Sequence, residues 1–230
     1  MNMRNVALVV IAYKFGYAFR EGKNIHRVYM FDKKGRLIYD DTNGVCTEFY
    51  QYDRKGRVKT LCTSVNWYKI EDCPPEEMYT FNYLKKDGKI HQIIQNGDET
   101  LTNIYTYDKY GNLLVENSQL ENCIISYEYN AHKYNAKPVK YIDNDRLIKR
   151  YKYKNNRLVR EDVFDERNGK KFKIEYVYEN NRLIREIHDN YEYIYRYINL
   201  TSDEIDVDLL KDPLAPPAPE NILKGGEKSE

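Results

Sequence analysis

The chain has 230 residues and a mass of 27.6 kDa, enough to bury a substantial core in one domain or one continuous repeat array. Charged residues make up 32% of it, but 37 Lys and Arg nearly cancel 36 Asp and Glu, so no global field draws in nucleic acid. The 24 tyrosines, against 7 Phe and 1 Trp, suit a pleated surface that is apolar along the ring and wet at the hydroxyl, which marks a β-rich chain.

Residues 1–24 open with Arg4 and the apolar run Val6 to Ala12, which imitates a secretory signal. Tyr13, Lys14 and Phe15 interrupt the run and no small-x-small cleavage site follows. It is also far shorter than the ~20 apolar residues that span a bilayer as a helix. The segment therefore reads as a first strand in preference to a signal or anchor. No other stretch is a transmembrane candidate, and the weak signal favours a cytoplasmic over a secreted location.

From residue 25 to residue 200 one phrase recurs. It reads YMFDKKGRL at Tyr29, YQYDRKGRV at Tyr50, FNYLKKDGKI at Phe81, YTYDKYGNL at Tyr105, YKYKNNRL at Tyr151 and YVYENNRL at Tyr176, with worn copies at Tyr127 and Tyr141. YEYIYRY, from Tyr191, keeps the aromatic half without the turn. Recurrence of this kind means stacked supersecondary units that bury one another.

The unit is a β-hairpin. In YQYDRKGRV a three-residue loop, Arg54-Lys55-Gly56, places Gly56 in the left-handed conformation and Tyr52 opposite Val58. In YKYKNNRL the loop shrinks to Asn155-Asn156 in a type I′ turn, with Lys154 opposite Arg157 and Tyr153 opposite Leu158. FNYLKKDGKI accommodates a four-residue loop, Lys85 to Gly88, with Leu84 against Lys89 and Tyr83 against Ile90. Extending the pairing sets Tyr151 against Arg160 and Tyr176 against Arg185, where guanidinium could stack on phenol. The same alternation puts Ile174, Tyr176, Tyr178, Leu183 and Ile187 on one face and Lys173, Glu175 and Glu186 on the other. The expected fold is all-β: an antiparallel meander of tandem hairpins, about fourteen to sixteen strands, curved into a barrel-like or two-layered sheet.

The pattern Tyr-x-Tyr-Asp-x-x-Gly-x-aliphatic, best matched by YQYDRKGRV and YTYDKYGNL, resembles the YD repeat of the RHS family. The resemblance covers most of residues 25–198 and implies tandem hairpins in long curved sheets. Large RHS proteins close such sheets around toxin domains, and YD repeats also occur in cell-surface and carbohydrate-binding proteins. This chain is too short for such a shell. KDPLAPP, at Lys211 to Pro217, echoes the family's self-cleaving core only faintly and lacks its glycines, so encapsulation and autoproteolysis are not expected.

Two loops and a tail are the candidate sites. Cys62 to Met78 breaks the repeat spacing and carries Trp67 beside Tyr68, and the expanded turn Asn130 to Val139 carries His132 and Tyr134. Residues 201–230 form an acidic, proline-rich extended tail. Its apolar residues Ile205, Val207, Leu209, Leu210, Ile222 and Leu223 suit docking on a partner or on another copy of the chain.

Cys46, Cys62, Cys73 and Cys123 lack the short paired spacing of a zinc site and read as free, partly buried thiols. His26, His91, His132 and His188 are scattered, so a metal site would need tertiary coincidence. No phosphate-cradling glycine loop, Gly-x-Ser-x-Gly elbow or His-Glu-x-x-His helix is present, and no cofactor is expected. Asp40 and Asp41, an acidic pair a glycosidase could use, would project to opposite faces of a strand. The leading expectation is therefore a non-enzymatic module that engages a protein assembly through loops and tail. Carbohydrate recognition by exposed aromatics is the alternative, and an immunity protein or chaperone beside an RHS-like toxin is a third.

Overall fold

The computed structural model describes residues 6–16, 24–42, 46–64, 78–97, 102–118, 122–131, 133, 136–144 and 146–200. Among them there is no helix. The strands are β1 (Val6–Gly16), β2 (Asn24–Asp32), β3 (Leu37–Thr42), β4 (Cys46–Tyr52), β5 (Val58–Ser64), β6 (Met78–Lys86), β7 (Lys89–Asn96) and β8 (Thr102–Tyr107). They continue as β9 (Leu113–Ser118), β10 (Cys123–Tyr129), β11 (Pro138–Asp143), β12 (Leu147–Lys154), β13 (Arg157–Asp165), β14 (Lys170–Glu179), β15 (Arg182–Ile187) and β16 (Tyr191–Asn199). Each strand pairs antiparallel with its sequence neighbours, and β1 pairs with β16. The meander is a closed sixteen-stranded barrel. Closure removes the free edges that a long hairpin array would otherwise expose.

The apolar run at the start of the chain is the closing strand. Leu8 to Gly16 pair with Asn199 to Tyr191, so a segment that imitates a signal supplies the seam. Such a run suits a position flanked on both sides by other strands.

The turns explain the register. Asp53 and Arg57 face each other across the three-residue loop, with Asp53 N–H donating to the Arg57 carbonyl at 2.8 Å, and Gly56 has φ +77°. The Asp53 carboxylate also accepts the N–H groups of Lys55 and Arg57 and the Arg57 guanidinium. Asp32 does the same for Lys34 and Arg36. Asn155 and Asn156 have φ of 49° and 63°, as a type I′ turn requires, and Tyr153 faces Leu158.

FNYLKKDGKI departs from its expected loop. Asp87 and Gly88, with φ of 52° and 76°, form a two-residue turn, so Lys86 faces Lys89, Lys85 faces Ile90 and Tyr83 faces Ile93. Asp-Gly is among the strongest type I′ pairs, and it overrides the preference for keeping Tyr83 opposite Ile90.

A second departure is systematic. In each described repeat hairpin the residue after the inward aliphatic is a β-bulge: Ile38, Lys59, His91, Leu114, Val139, Val159 and Ile184 lack a cross-strand partner. One extra residue reverses the alternation beyond it. Tyr151 therefore faces Glu161 and Tyr176 faces Glu186, while Arg160 and Arg185 turn outward opposite Lys152 and Val177. Glu186 joins the tyrosine face and Ile187 leaves it, the reverse of simple alternation.

The face carrying the repeat tyrosines is the inner wall. The opposite face of β12 to β15 exposes Arg150, Lys152, Lys154, Lys173, Glu175 and Arg185 to solvent. Charges in mid-strand are incompatible, over this sector, with the apolar band of a lipid-facing barrel. A ring of sixteen strands is wider than its own inward side chains can fill. Two apolar clusters lie on the inner wall, one around Leu8, Val10, Tyr29, Phe31 and Leu37, the other around Ile90, Ile93, Tyr105, Tyr107 and Leu113. A third, of Tyr39, Phe49 and Cys62, lies on the outer face of β3 to β5.

Cys62 is disulfide-bonded, which corrects the expectation of a free thiol; its partner lies outside the described residues. Cys46 and Cys123 are in no disulfide, and the Cys123 thiol donates to Asp143 at 2.8 Å.

Candidate functional site

At four places along the array the second tyrosine of the repeat ties its strand to the preceding hairpin. Tyr52 donates its hydroxyl to the Leu37 carbonyl at 2.6 Å, Tyr83 to Val58 at 2.7 Å, Tyr129 to Leu113 at 2.7 Å and Tyr197 to Leu183 at 2.9 Å. Turn arginines cover three of these rings and one equivalent: Arg36 lies over Tyr52 and Arg57 over Tyr83 at 4.5 Å, Arg182 over Tyr197 at 5.3 Å, and Arg157 over Tyr178 at 5.6 Å. Stacking of guanidinium on phenol thus occurs, but between successive hairpins. The arginines that do it sit beside the turns.

The first tyrosine of the repeat lies deeper along the wall and meets a polar acceptor. Tyr176 donates to Glu161 at 2.7 Å, Tyr195 to Glu186 at 2.9 Å, Tyr50 to Glu48 at 2.5 Å and Tyr105 to Gln95 at 2.9 Å. Burial, reinforced by the neighbouring carboxylates, pushes the Tyr50, Tyr176 and Tyr195 phenols well above their ordinary range. They are fixed hydrogen-bond donors at neutral pH. Burial also pushes Asp40 and Glu48 up, opposed at Asp40 by the Arg27 guanidinium, which meets it in a fork of 2.7 and 2.6 Å.

The bulges bring Asp40, Glu161 and Glu186 inward, whereas Glu48 shares the face of Tyr50 and Tyr52 by plain alternation. The loose alternative, an acid-base pair at Asp40 and Asp41, does not form: Asp40 faces the inner wall with Arg27, while Asp41 accepts the Thr47 hydroxyl on the other face.

Around the seam the wall gathers side chains far apart in sequence. His26 stacks on Tyr193 with ring centroids 4.8 Å apart, and His188 stacks on Tyr191 at 4.2 Å and meets Tyr193 edge-on at 5.6 Å. The Lys14 ammonium lies 4.3 Å from the Tyr191 centroid. Glu186 joins the cluster through His188 Nε2 at 2.6 Å. Burial first, then the charges of Lys14 and Arg27, lowers the His26 pKa, which favours the neutral ring, and burial raises Tyr193 to about 12. Flat rings beside fixed donors and carboxylate acceptors can hold a ligand by stacking and hydrogen bonding.

A second inner-wall group centres on Glu161. Its Oε1 takes the Tyr176 hydroxyl, but its buried Oε2 has no hydrogen-bond donor, the Lys149 ammonium standing 3.8 Å away. Tyr151 faces it across β12 and β13, and Lys149 also covers the ring of Tyr141 at 5.1 Å.

The residues selected from sequence are elsewhere. Trp67, Tyr68, His132, Tyr134, Ile205, Val207, Leu209, Leu210, Ile222 and Leu223 all lie outside the described residues. Sequence reasoning passed over His26, His188, Tyr191, Tyr193 and Glu186. The period-two run Tyr191, Tyr193, Tyr195, Tyr197 marks one face of a strand and was a usable signal. Nothing in the sequence foretells that His26 and His188 both meet Tyr193 at the seam. Among the described residues no three His, Cys, Asp or Glu side chains form a metal-binding group, and no helix is long and apolar enough to cross a membrane.

No protein-family model and no curated protein matches this chain. Among solved structures it is similar to the TcdB2-TccC3-TEV crystal structure, with 13% identity, 71% of this chain and 11% of that chain covered, and a TM-score of 0.26. It is similar to the Photorhabdus luminescens Tc holotoxin pore, at 14%, 71%, 11% and 0.26 respectively. A porin-like protein from Bacteroides uniformis gives 16%, 81%, 58% and 0.29. The chain spans about a ninth of the length of the first two, and at these TM-scores the likenesses carry no argument.

Proposed function

We propose that the protein is a non-catalytic binding module of the RHS type, a rigid barrel that engages a protein assembly through its turn-bearing rim and its tail. The observation that supports this reading is the hairpin-to-hairpin lock. Tyr52, Tyr83, Tyr129 and Tyr197 spend their hydroxyls on the preceding hairpin, and Arg36, Arg57 and Arg182 spend their guanidinium faces on those rings or their equivalents. A wall so occupied with itself is a platform, and recognition falls to what projects from it. The test is quantitative affinity capture from the native host with the full chain and with a variant in which Lys33, Lys34, Arg54 and Lys55 become Ser. The reading expects one partner, enriched about tenfold or more by the native rim, the loss scaling with the charges removed; equal recovery by both chains would sink it.

A second reading, carbohydrate recognition, is favoured by one observation: the donor-less Glu161 Oε2 beside Tyr151 and Lys149 on the inner wall. A sugar hydroxyl would supply the missing donor while a ring stacks on the tyrosine. A glycan panel read by NMR decides it, with saturable shifts lost in Glu161→Gln as the expected result and no saturable binding as the refutation.

A further inference from the structure

The topology sorts the connections by charge. The seven turns of the repeat, from β2–β3 to β14–β15, all open at the end of the barrel where β1 begins and β16 ends, because Val6 pairs with Asp32 and Leu8 with Asn199. Their connecting residues carry 9 Lys and Arg against 3 Asp in the sequence. The connections at the opposite end carry 5 Lys and Arg against 11 Asp and Glu. The repeat itself is the cause, since its Asp-x-x-Gly turns place basic residues at the x positions. Lys33, Lys34, Arg54, Lys86, Lys133 and Lys154 are exposed around this rim.

The chain leaves the barrel at the same rim. Leu200 N–H donates to the Ala7 carbonyl at 2.7 Å, which pins the exit point beside β1. The next residues, SDEIDVD from Ser202 to Asp208, are the most acidic part of the remaining sequence and alternate with Ile205 and Val207.

From these placements we infer that the acidic segment Asp203 to Asp208 docks on the basic rim of its own barrel. Reach permits it. The Lys33-Lys34 turn stands between two and three strands from β16, and Lys154 between three and four, or ~12 and ~17 Å at the usual strand spacing. Residues 203–208 lie three to eight positions beyond Leu200, an extended reach of ~10 to ~27 Å. Tethering makes the encounter intramolecular, so the segment meets the rim at an effective concentration in the millimolar range. Any acidic partner that uses this rim must then displace the tail, which ties the inference to the rim of the proposed function. The tail's seat can be found with no partner present, so either reading can fail alone.

Zero-length carbodiimide crosslinking of the full chain, from an equal mixture of unlabelled and nitrogen-15 chains, tests it. The expected result is same-chain crosslinks from Asp203, Glu204, Asp206 or Asp208 to Lys33, Lys34, Lys133 or Lys154, falling about tenfold in 1 M salt, where the Debye length is ~3 Å. Neutralising the four carboxylates to Asn or Gln should also speed tryptic cleavage after Lys211 about tenfold, by releasing the segment. Crosslinks only between labelled and unlabelled chains, only to lysines of the opposite end, or none, with cleavage unchanged by neutralisation, would overturn it.

Discussion

The hairpins of β2 to β5 and those of β12 to β15 reach one result by two chemistries. In the first pair, Asp32 and Asp53 hold their turns with a carboxylate that accepts two backbone N–H groups and the following arginine. In the second, Asn155-Asn156 and Asn180-Asn181 hold theirs by adopting positive φ, with no carboxylate. Both types present an arginine to the next hairpin's tyrosine, at 4.5 Å after the Asp turns and 5.3 to 5.6 Å after the Asn turns. Loop chemistry is therefore exchangeable, while the link to the next hairpin is what the repeat preserves. The carboxylate fixes the guanidinium as well as the turn, and the closer stacking follows.

That contrast can be broken most sharply at Asp32. Its carboxylate is largely buried and serves Lys34 N, Arg36 N and the Arg36 guanidinium, so Asp32→Ala is expected to cost about 2 to 3 kcal/mol in urea unfolding. Asn155→Ala, at an exposed turn, is expected to cost less than half as much, and equal costs would erase the distinction. Gly56 comes next. Apart from its chain neighbours, no atom lies within 4 Å of where a Cβ would stand, so Gly56→Ala costs the strain of φ +77° alone, about 1 to 2 kcal/mol, whereas Asn156→Gly should be close to neutral.

The linking arginines should differ more modestly. Arg57→Ala is expected to lose about 1 kcal/mol and Arg157→Ala about half that, measured by the same unfolding curves. The smallest effect is acid sensitivity. Burial pulls the Asp53 carboxyl upward, but the Arg57 N–H and guanidinium and the Lys55 N–H together outweigh it and hold the group below its ordinary range. A depressed folded pKa adds stability above the unfolded value of about 3.9, lost as pH falls through the lower folded value. Amide exchange in the β4–β5 turn should therefore rise, relative to the β12–β13 turn, as pH is lowered from 4 toward 2, after correction for intrinsic rates; parallel profiles would contradict this.

Much of the wall was legible in advance. The Gly56 loop, the Asn155-Asn156 turn and the pairs Tyr52 with Val58 and Tyr153 with Leu158 follow from local chemistry, because turn type and loop length fix register within a few residues. The extension to Tyr151 and Arg160 failed one residue further on, at Val159, since a bulge leaves no distinctive residue type behind. Val159, and Ile184 in the β14–β15 hairpin, each decide which charge faces inward, and so Glu161 and Glu186 reach the inner wall while Arg160 and Arg185 do not. The seam cluster was out of reach for a different reason. His26 and His188 stand 162 positions apart, and only closure of β1 on β16 brings both onto Tyr193.

The sequence by itself determined an all-β meander of hairpins and the identity of the turn residues, because those depend on neighbours within about ten positions and on a period of two. Tertiary structure alone decided that the sheet closes, that the basic turns share one rim with the start of an acidic tail, and that carboxylates and histidines line the inner wall. These depend on summed twist and on seven one-residue bulges, whose effect on side-chain direction accumulates around the ring and is written in no single repeat.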